Sequence, residues 1–493
     1  MEFLNALREV ILSPWGLLLA FFFFSFSIFI HEMGHYLAAR WRGLKIERFS
    51  IGMGPRVFGW TDKHGVEWRL SAIPLGGYVM LPQMTDMKVV EGTPDDDAAA
   101  LPKLSWTDKV VVAVAGAVFN VIFAFCLGTI LWQTGIPREA WQDSTVLGYV
   151  AEEITTEDDI TIPGPAYAAG LRPGDDIQSV DGRTVANFDD IFTSILMGSD
   201  RDESGNPRVL VEYLRDGEQQ SASIIPTVGG LEKIRQVGIM TQDPVVVDYA
   251  YTNSPAEQAG LQSDDEIIAI NGEAIYNRSG LISQVQKNPD EQFIMTIKRG
   301  ELTLEMPIVP ITIPVSAAGD MAPMIGVRFF TTFSTDNKIP PHKQVWNIVT
   351  LTYRTLDALL SPSSNVGLRN LNGPVGILNA LKITAEQGFL MLLYLVVLIN
   401  VNLAVVNLLP LPILDGGHIV IATIQKLIGK PVPARVIIAL QNGMAICLLG
   451  MVVYITYFDV RRIGQGISDE PEAAATSEPF EISFPATTAS NDE

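Results

Sequence analysis

Cysteine is almost missing from this chain, with only Cys126 and Cys447 among 493 residues. Both fall in strongly apolar stretches, where a small buried thiol is the ordinary occupant, so neither a disulfide framework nor a cysteine zinc cluster is available. Basic residues are also short, 34 Lys and Arg against 55 Asp and Glu, for a formal net charge of −21. That balance excludes nucleic-acid binding, which relies on a basic surface to displace phosphate counterions. Histidine is scarcer still, at five residues. Wherever two of them fall together, the position carries information.

What the chain has in quantity is apolar sequence, 48% of it, unevenly spread. Four stretches, roughly 15 to 37, 109 to 132, 390 to 412 and 436 to 458, each approach the ~20 residues that a helix needs to cross a bilayer. The first contains four consecutive phenylalanines and no small-residue cleavage site follows it, so it is expected to be retained rather than removed as a signal peptide. The segment from Arg40 to Lys103 holds nine basic and eight acidic residues, whereas Arg138 to Lys338 holds 14 basic and 32 acidic. An excess of Lys and Arg marks cytoplasmic loops. The first loop is therefore expected on the cytoplasmic side and the long middle region outside. Arg461 and Arg462 fit that topology poorly, because four spans put them outside as well.

The polar middle is internally repeated. Gly164-Pro165-Ala166, Ala169-Gly170-Leu171 and Asp181-Gly182 recur as Ser254-Pro255-Ala256, Ala259-Gly260-Leu261 and Asn271-Gly272, each 90 positions on. A constant offset across separated elements means duplicated units. Each contains a short helix signal, an apolar strand (Asp176 to Val180; Glu266 to Ile270) and a turn at Asp-Gly or Asn-Gly. The pair resembles two PDZ modules of the type found in bacterial envelope proteases, with the signature Pro-Ala-x-x-Ala-Gly-Leu-x-x-Gly-Asp-x-Ile. Ser263 and Asp264 replace Pro173 and Gly174 in the second copy, which leaves its turn geometry open. Such modules capture extended peptides and peptide C-termini at a sheet edge; as a bulky pair they would equally serve as a size filter.

His31-Glu32-Met33-Gly34-His35 is H-E-x-x-H, whose i, i+4 spacing sets both imidazoles on one helix face for a single zinc, with the glutamate beside the attacking water as general base. Ionisable residues at the end of an apolar helix default to a functional reading. A catalytic zinc takes three protein ligands. The third is expected from Asp415, in Asn407-Leu408-Leu409-Pro410-Leu411-Pro412-Ile413-Leu414-Asp415-Gly416-Gly417, where prolines interrupt the third span. His418, three residues on, is the competing donor.

Together, H-E-x-x-H in the first span, N-x-x-P-x-P-x-L-D-G-G in the third and PDZ modules between them resemble the site-2 protease family of intramembrane zinc proteases. The resemblance implies Zn2+ held by His31, His35 and Asp415, Glu32 as catalytic glutamate, and Asn407 holding or polarising the substrate backbone. It implies that Gly52-Met53-Gly54 through Gly76-Gly77-Tyr78-Val79 form a membrane-dipping β-hairpin, with Gly52, Gly54, Gly76 and Gly77 helping to position an unwound substrate as an added strand. Gly116 to Asn120 resembles a Gly-Pro-x-x-Asn element, with Ala117 at the proline position.

The expected architecture is a polytopic α-helical membrane protein of about four spans, with a membrane-associated β-hairpin and two α/β PDZ domains in tandem. The expected divisions are a membrane region at 1–145, PDZ domains at 146–229 and 230–314, and a connector at 315–389 with an amphipathic helix from Lys343 to Leu360 along the membrane surface. A second membrane region follows at 390–465, then a disordered tail at 466–493. The expected partners are the lipid bilayer and single-span membrane proteins, of the anti-sigma-factor type by resemblance, in a bacterial inner membrane. Two alternatives remain at this stage, a non-catalytic PDZ scaffold and a zinc peptidase acting on soluble or signal peptides. The intact catalytic residues disfavour the first and burial of the site at span ends disfavours the second.

Overall fold

The first apolar stretch folds as α1 (Pro14–Trp41), 28 residues with no charged side chain before Glu32. The computed structural model describes residues 14–82, 84, 104–155, 160–229, 232–287, 289–314, 321–330, 333–334, 338–430 and 432–469. Most of the expected tail, 470–493, lies outside them. The chain forms two compact units, one running to Pro137 and taking in Thr335–Leu356 and Leu371–Arg461, the other built on Arg138–Ser334 with Asp357–Asn370.

In the first unit, α1 is followed by the antiparallel pair β1 (Arg48–Thr61) and β2 (Glu67–Met80), then α2 (Trp106–Thr134). Ser105 starts α2 by a capping box: its hydroxyl accepts the Asp108 N–H while the Asp108 carboxylate accepts the Ser105 N–H, satisfying two donors that a helix start leaves open. Asp108 also binds Arg42, just beyond α1, which fixes the end of one helix against the start of the other. Later come α7 (Pro341–Leu360), α8 (Pro374–Gln387), α9 (Phe389–Asn407), α10 (Asp415–Ile428) and α11 (Ala434–Asp469). Phe23 of α1, Ala124, Leu127 and Leu131 of α2, Leu381 of α8 and Val396 and Val397 of α9 form one buried cluster. Among the described residues, α2, α9 and Arg435–Gly464 of α11 are long and apolar enough to cross a membrane.

Both cysteines are exposed, on α2 and α11, against the expectation of burial. In a membrane span an apolar environment does not require the protein interior, because lipid supplies it on the outer face. On α7, Gln344 and Ile348 turn inward, with Gln344 Nε2 donating to Gly128 O at 3.0 Å, while Trp346 and Tyr353 are exposed. That division of faces is the amphipathic pattern read from Lys343 to Leu360.

The second unit repeats one plan. Its first module runs β3 (Leu147–Val150), α3 (Pro165–Ala168), β4 (Asp176–Val180), α4 (Phe188–Leu196), β5 (Val209–Arg215), β6 (Glu218–Ile224) and β7 (Ile239–Thr241). The second runs β8 (Val245–Ala250), α5 (Pro255–Ala259), β9 (Glu266–Ile270), α6 (Arg278–Lys287), β10 (Phe293–Arg299), β11 (Leu302–Ile308) and β12 (Val327–Phe329). In both, the last strand pairs antiparallel with the first: β7 with β3, and β12 with β8. The closing strands therefore lie beyond residues 229 and 314, where the modules were expected to end. Asp181-Gly182 and Asn271-Gly272 have positive φ at both positions, as a two-residue hairpin turn requires.

A buried ion pair is duplicated as well. Asp175 and Asp265, 1% and 0% exposed, each bind an arginine at 2.7 Å, Arg215 and Arg299. Each arginine also donates to a glycine carbonyl, Gly170 or Gly260, at 2.8 Å. The substituted turn keeps its shape: Gly174 has φ +94° and Asp264 φ +69°. A side chain in that left-handed region is strained, less so for Asp than for most residues. Asp264→Gly is expected to stabilise the second module by about 0.5–1 kcal/mol. A thermal unfolding midpoint that fell instead would show the Asp264 side chain to be stabilising.

Candidate metal centre

Three helices bring the site together. His31 and His35 sit one turn apart on α1, 8% and 6% exposed, with Glu32 between them at 8%. Asn407 is the last residue of α9. Pro410 and Pro412 follow in an irregular stretch that ends at Asp415, the first residue of α10, where the positive end of the helix favours a carboxylate. Gly416 and Gly417 allow that fold: a Cβ on Gly416 would lie 2.3 Å from Leu408 O, and one on Gly417 2.1 Å from Leu411 O. Any side chain there would force the backbone around Asp415 to shift.

The candidate donor atoms converge. His31 Nε2 and His35 Nε2 are 3.2 Å apart, and Asp415 Oδ2 lies 3.3 Å from the first and 3.4 Å from the second. A tetrahedral zinc with bonds of about 2.0–2.1 Å sets its ligand atoms roughly 3.3 Å apart, so all three edges fit one ion. Asp415 Oδ2 is buried without a geometrically sound hydrogen bond, which suits an atom meant for a cation. Among the described residues these three form the clustered donor group, and His418, the competing donor, lies outside it.

α2 supplies the wall behind the histidines. His35 Nδ1 is 2.8 Å from Val112 O, and Asn120 Nδ2 is 3.2 Å from His31 Nδ1. Neither partner was assigned from the sequence: a backbone carbonyl leaves no sequence signal, and Asn120 was legible only as the end of a motif. The helices approach closely at small residues, as membrane helices do. A Cβ on Gly34 would lie 2.4 Å from Ala115 O, and one on Gly116 would lie 2.5 Å from His35 Nε2 and 2.7 Å from His31 Cε1. Gly116→Ala is therefore expected to displace both imidazoles, lowering bound zinc and reducing cleavage by at least about 100-fold, the scale of a 1 Å misplacement. Zinc per protein and cleavage rate check this together; parental values for both would mean that α1 and α2 part readily.

The hairpin reaches the site at one of its four expected glycines. A Cβ on Gly77 would come within 2.9 Å of Glu32 Cγ, so β2 passes directly against the glutamate. Side chains added at Gly52, Gly54 and Gly76 would meet Ile73 or Met53 instead; those glycines have φ between +83° and +87° and shape the irregular pairing of β1 with β2. Met53, Val57, Phe58, Trp60 and Ile73 are exposed around them. Asn407 Nδ2 stands 3.4 Å from His31 Nε2, at the edge of the donor cluster.

Comparison with known proteins agrees with this chemistry. The family model described as peptidase family M50 matches residues 19–451. Among curated relatives, the Yersinia pestis protein named protease RseP is 29% identical over 434 residues, covering 83% of this chain and 90% of its own. The Escherichia coli K12 regulator of sigma-E protease RseP is 28% identical over 431 residues with the same coverage. A Vibrio cholerae protein named putative zinc metalloprotease is 29% identical over 425 residues, again covering 83% and 90%. Among solved structures, the PDZ domain of an SdrC-like protein from Listeria monocytogenes aligns with 18% of this chain and 90% of its own, at 23% identity and a TM-score of 0.16.

Proposed function

The chain belongs to peptidase family M50, and on that premise we propose that its zinc is held by His31, His35 and Asp415, that Glu32 is the general base, and that single-span membrane proteins are its substrates. It is an intramembrane zinc metalloprotease of the site-2 type. The observation that carries the assignment is the convergence of two imidazoles and one carboxylate at 3.2 to 3.4 Å.

Bound zinc supplies Lewis acidity toward the scissile carbonyl and makes water a competent nucleophile near neutral pH. Glu32 takes the proton of the attacking water and delivers it to the amide nitrogen as the C–N bond breaks, leaving one new carboxylate and one new amine. Asn407, beside His31, is suited to hold the scissile carbonyl or the neighbouring backbone. Gly77 keeps β2 against Glu32 without a side chain between them. The outer edges of the folded β1–β2 pair, at Phe58 to Thr61 and Gly77 to Met80, then offer backbone partners to a substrate helix that must unwind before its peptide bond can be attacked.

The exposed apolar residues of the hairpin support its dipping into the bilayer, and the loop charges support the cytoplasmic side for it and the outside for the repeated modules, with α1 a fourth span beside α2, α9 and α11. Relatives named regulators of sigma-E protease support a substrate of the anti-sigma-factor type and release of a cytoplasmic fragment. The modules, taken as PDZ domains, act as a gate on substrate size. The experiment removes residues 144–330, bounds that include both closing strands, and assays one single-span substrate intact and pre-trimmed on its outer side. Cleavage of the intact form is expected to appear while the trimmed form is still cut. Loss of cleavage of the trimmed form would instead make the modules peptide receptors, and unchanged selectivity would sink the gate.

A further inference from the structure

The two histidines meet α2 through different chemistry. Opposite His35 Nδ1 stands Val112 O, at 2.8 Å. A carbonyl can only accept, so the proton of His35 is on Nδ1 and its Nε2 lone pair faces Asp415. Opposite His31 Nδ1 the structure sets Asn120 Nδ2, at 3.2 Å, on a residue with no exposed surface. A carboxamide can present either its NH2 or its oxygen, and the two choices impose opposite tautomers on the ring.

If the NH2 faces His31, Nδ1 must accept and the proton sits on Nε2. That N–H would point into a space where His35 Nε2 is 3.2 Å and Asp415 Oδ2 3.3 Å away, and no lone pair would be left for a metal. The same orientation strands the Asn120 oxygen, which is buried without a donor. Turned the other way, the oxygen accepts Nδ1–H and His31 Nε2 is free to ligate. We propose that Asn120 is a positioning residue whose side-chain oxygen accepts the His31 Nδ1–H and so holds that imidazole in its metal-binding tautomer.

Asn120 thus does for His31 what a backbone carbonyl does for His35, and both constraints come from one face of α2. An outer partner of this kind orients a ligating histidine and raises its basicity, and its loss typically costs 10–100-fold in metal affinity. The inference rests on the reading of His31 as a zinc ligand, so the test must separate the two.

The full chain, purified in detergent, is titrated with Zn2+ against a competing chelator as the parent and as His31→Ala, Asn120→Leu and Asn120→Asp. His31→Ala must lose affinity if His31 ligates; parental affinity there would overturn the ligand reading itself. Given that loss, Asn120→Leu, which removes the acceptor, is expected to bind zinc 10–100-fold more weakly. Asn120→Asp can face the ring only with oxygen, and is expected to stay within threefold of the parent or bind more tightly. Affinity within twofold of the parent in Asn120→Leu overturns the proposal. So does a tenfold or greater loss in Asn120→Asp, and that arm decides alone if the leucine variant does not fold.

Discussion

Glu32→Gln is expected to leave zinc bound at one ion per chain while peptide cleavage falls by at least about 100- to 10,000-fold, the usual contribution of a positioned general base. Glutamine has nearly the shape of glutamate and leaves both imidazoles and Asp415 in place, so the donor atoms keep their spacing of 3.2 to 3.4 Å. What it lacks is a basic oxygen to take the proton from water and pass it to the departing nitrogen. Gly77 packs within reach of Glu32 Cγ, so the variant side chain has little room to move aside and admit a substitute base. A purified variant that still cut at near the parental rate would remove Glu32 from the mechanism.

Asp415→Ala is expected to separate the two properties in the opposite sense, with metal lost first and activity lost with it. A catalytic zinc needs three protein ligands, and this change leaves two histidines on one helix with no carboxylate among the ligands. The affinity loss should exceed the ~10–100-fold typical of an outer hydrogen-bond partner. Dialysis against a chelator followed by metal analysis checks it. Full occupancy in the variant would mean that another group, with His418 the first to test, completes the site.

The sequence was most informative where function follows from short-range spacing. His31, Glu32 and His35 needed only the helical repeat, and Asp181-Gly182 and Asn271-Gly272 only the rule that two-residue hairpin turns take positive φ. Asp415 was reachable despite lying 380 positions from His35 because prolines announce where the third span must end. Long-range partners were harder. Val237-Gly238-Ile239 and Ile325-Gly326-Val327 lead into the two closing strands, but they recur at an offset of 88 rather than 90. Arg215 and Arg299 are offset by 84, although their partners Asp175 and Asp265 keep 90. The first module has the longer loop, between α4 and β5, and a search at constant offset cannot follow a repeat through it.

The wall behind the histidines was hidden for another reason. Val112 acts through its carbonyl, which every residue has, and Gly116 through the absence of a side chain at one point of helix contact. Both effects depend on how α1 crosses α2, and no pattern along either helix alone states that. Likewise, apolar sequence around Cys126 and Cys447 did not separate the protein interior from the lipid-facing side, because the two are equally apolar.

X-ray absorption at the zinc edge, on the parent and on Asp415→Ala reloaded with zinc, reads the ligands of the metal themselves. The parental shell is expected to hold nitrogen and oxygen only, at about 2.0–2.2 Å, from two imidazoles and a carboxylate. In the variant the carboxylate contribution should vanish while both imidazoles remain. A sulfur contribution in the parent, or a shell unchanged by loss of Asp415, would contradict that ligand set.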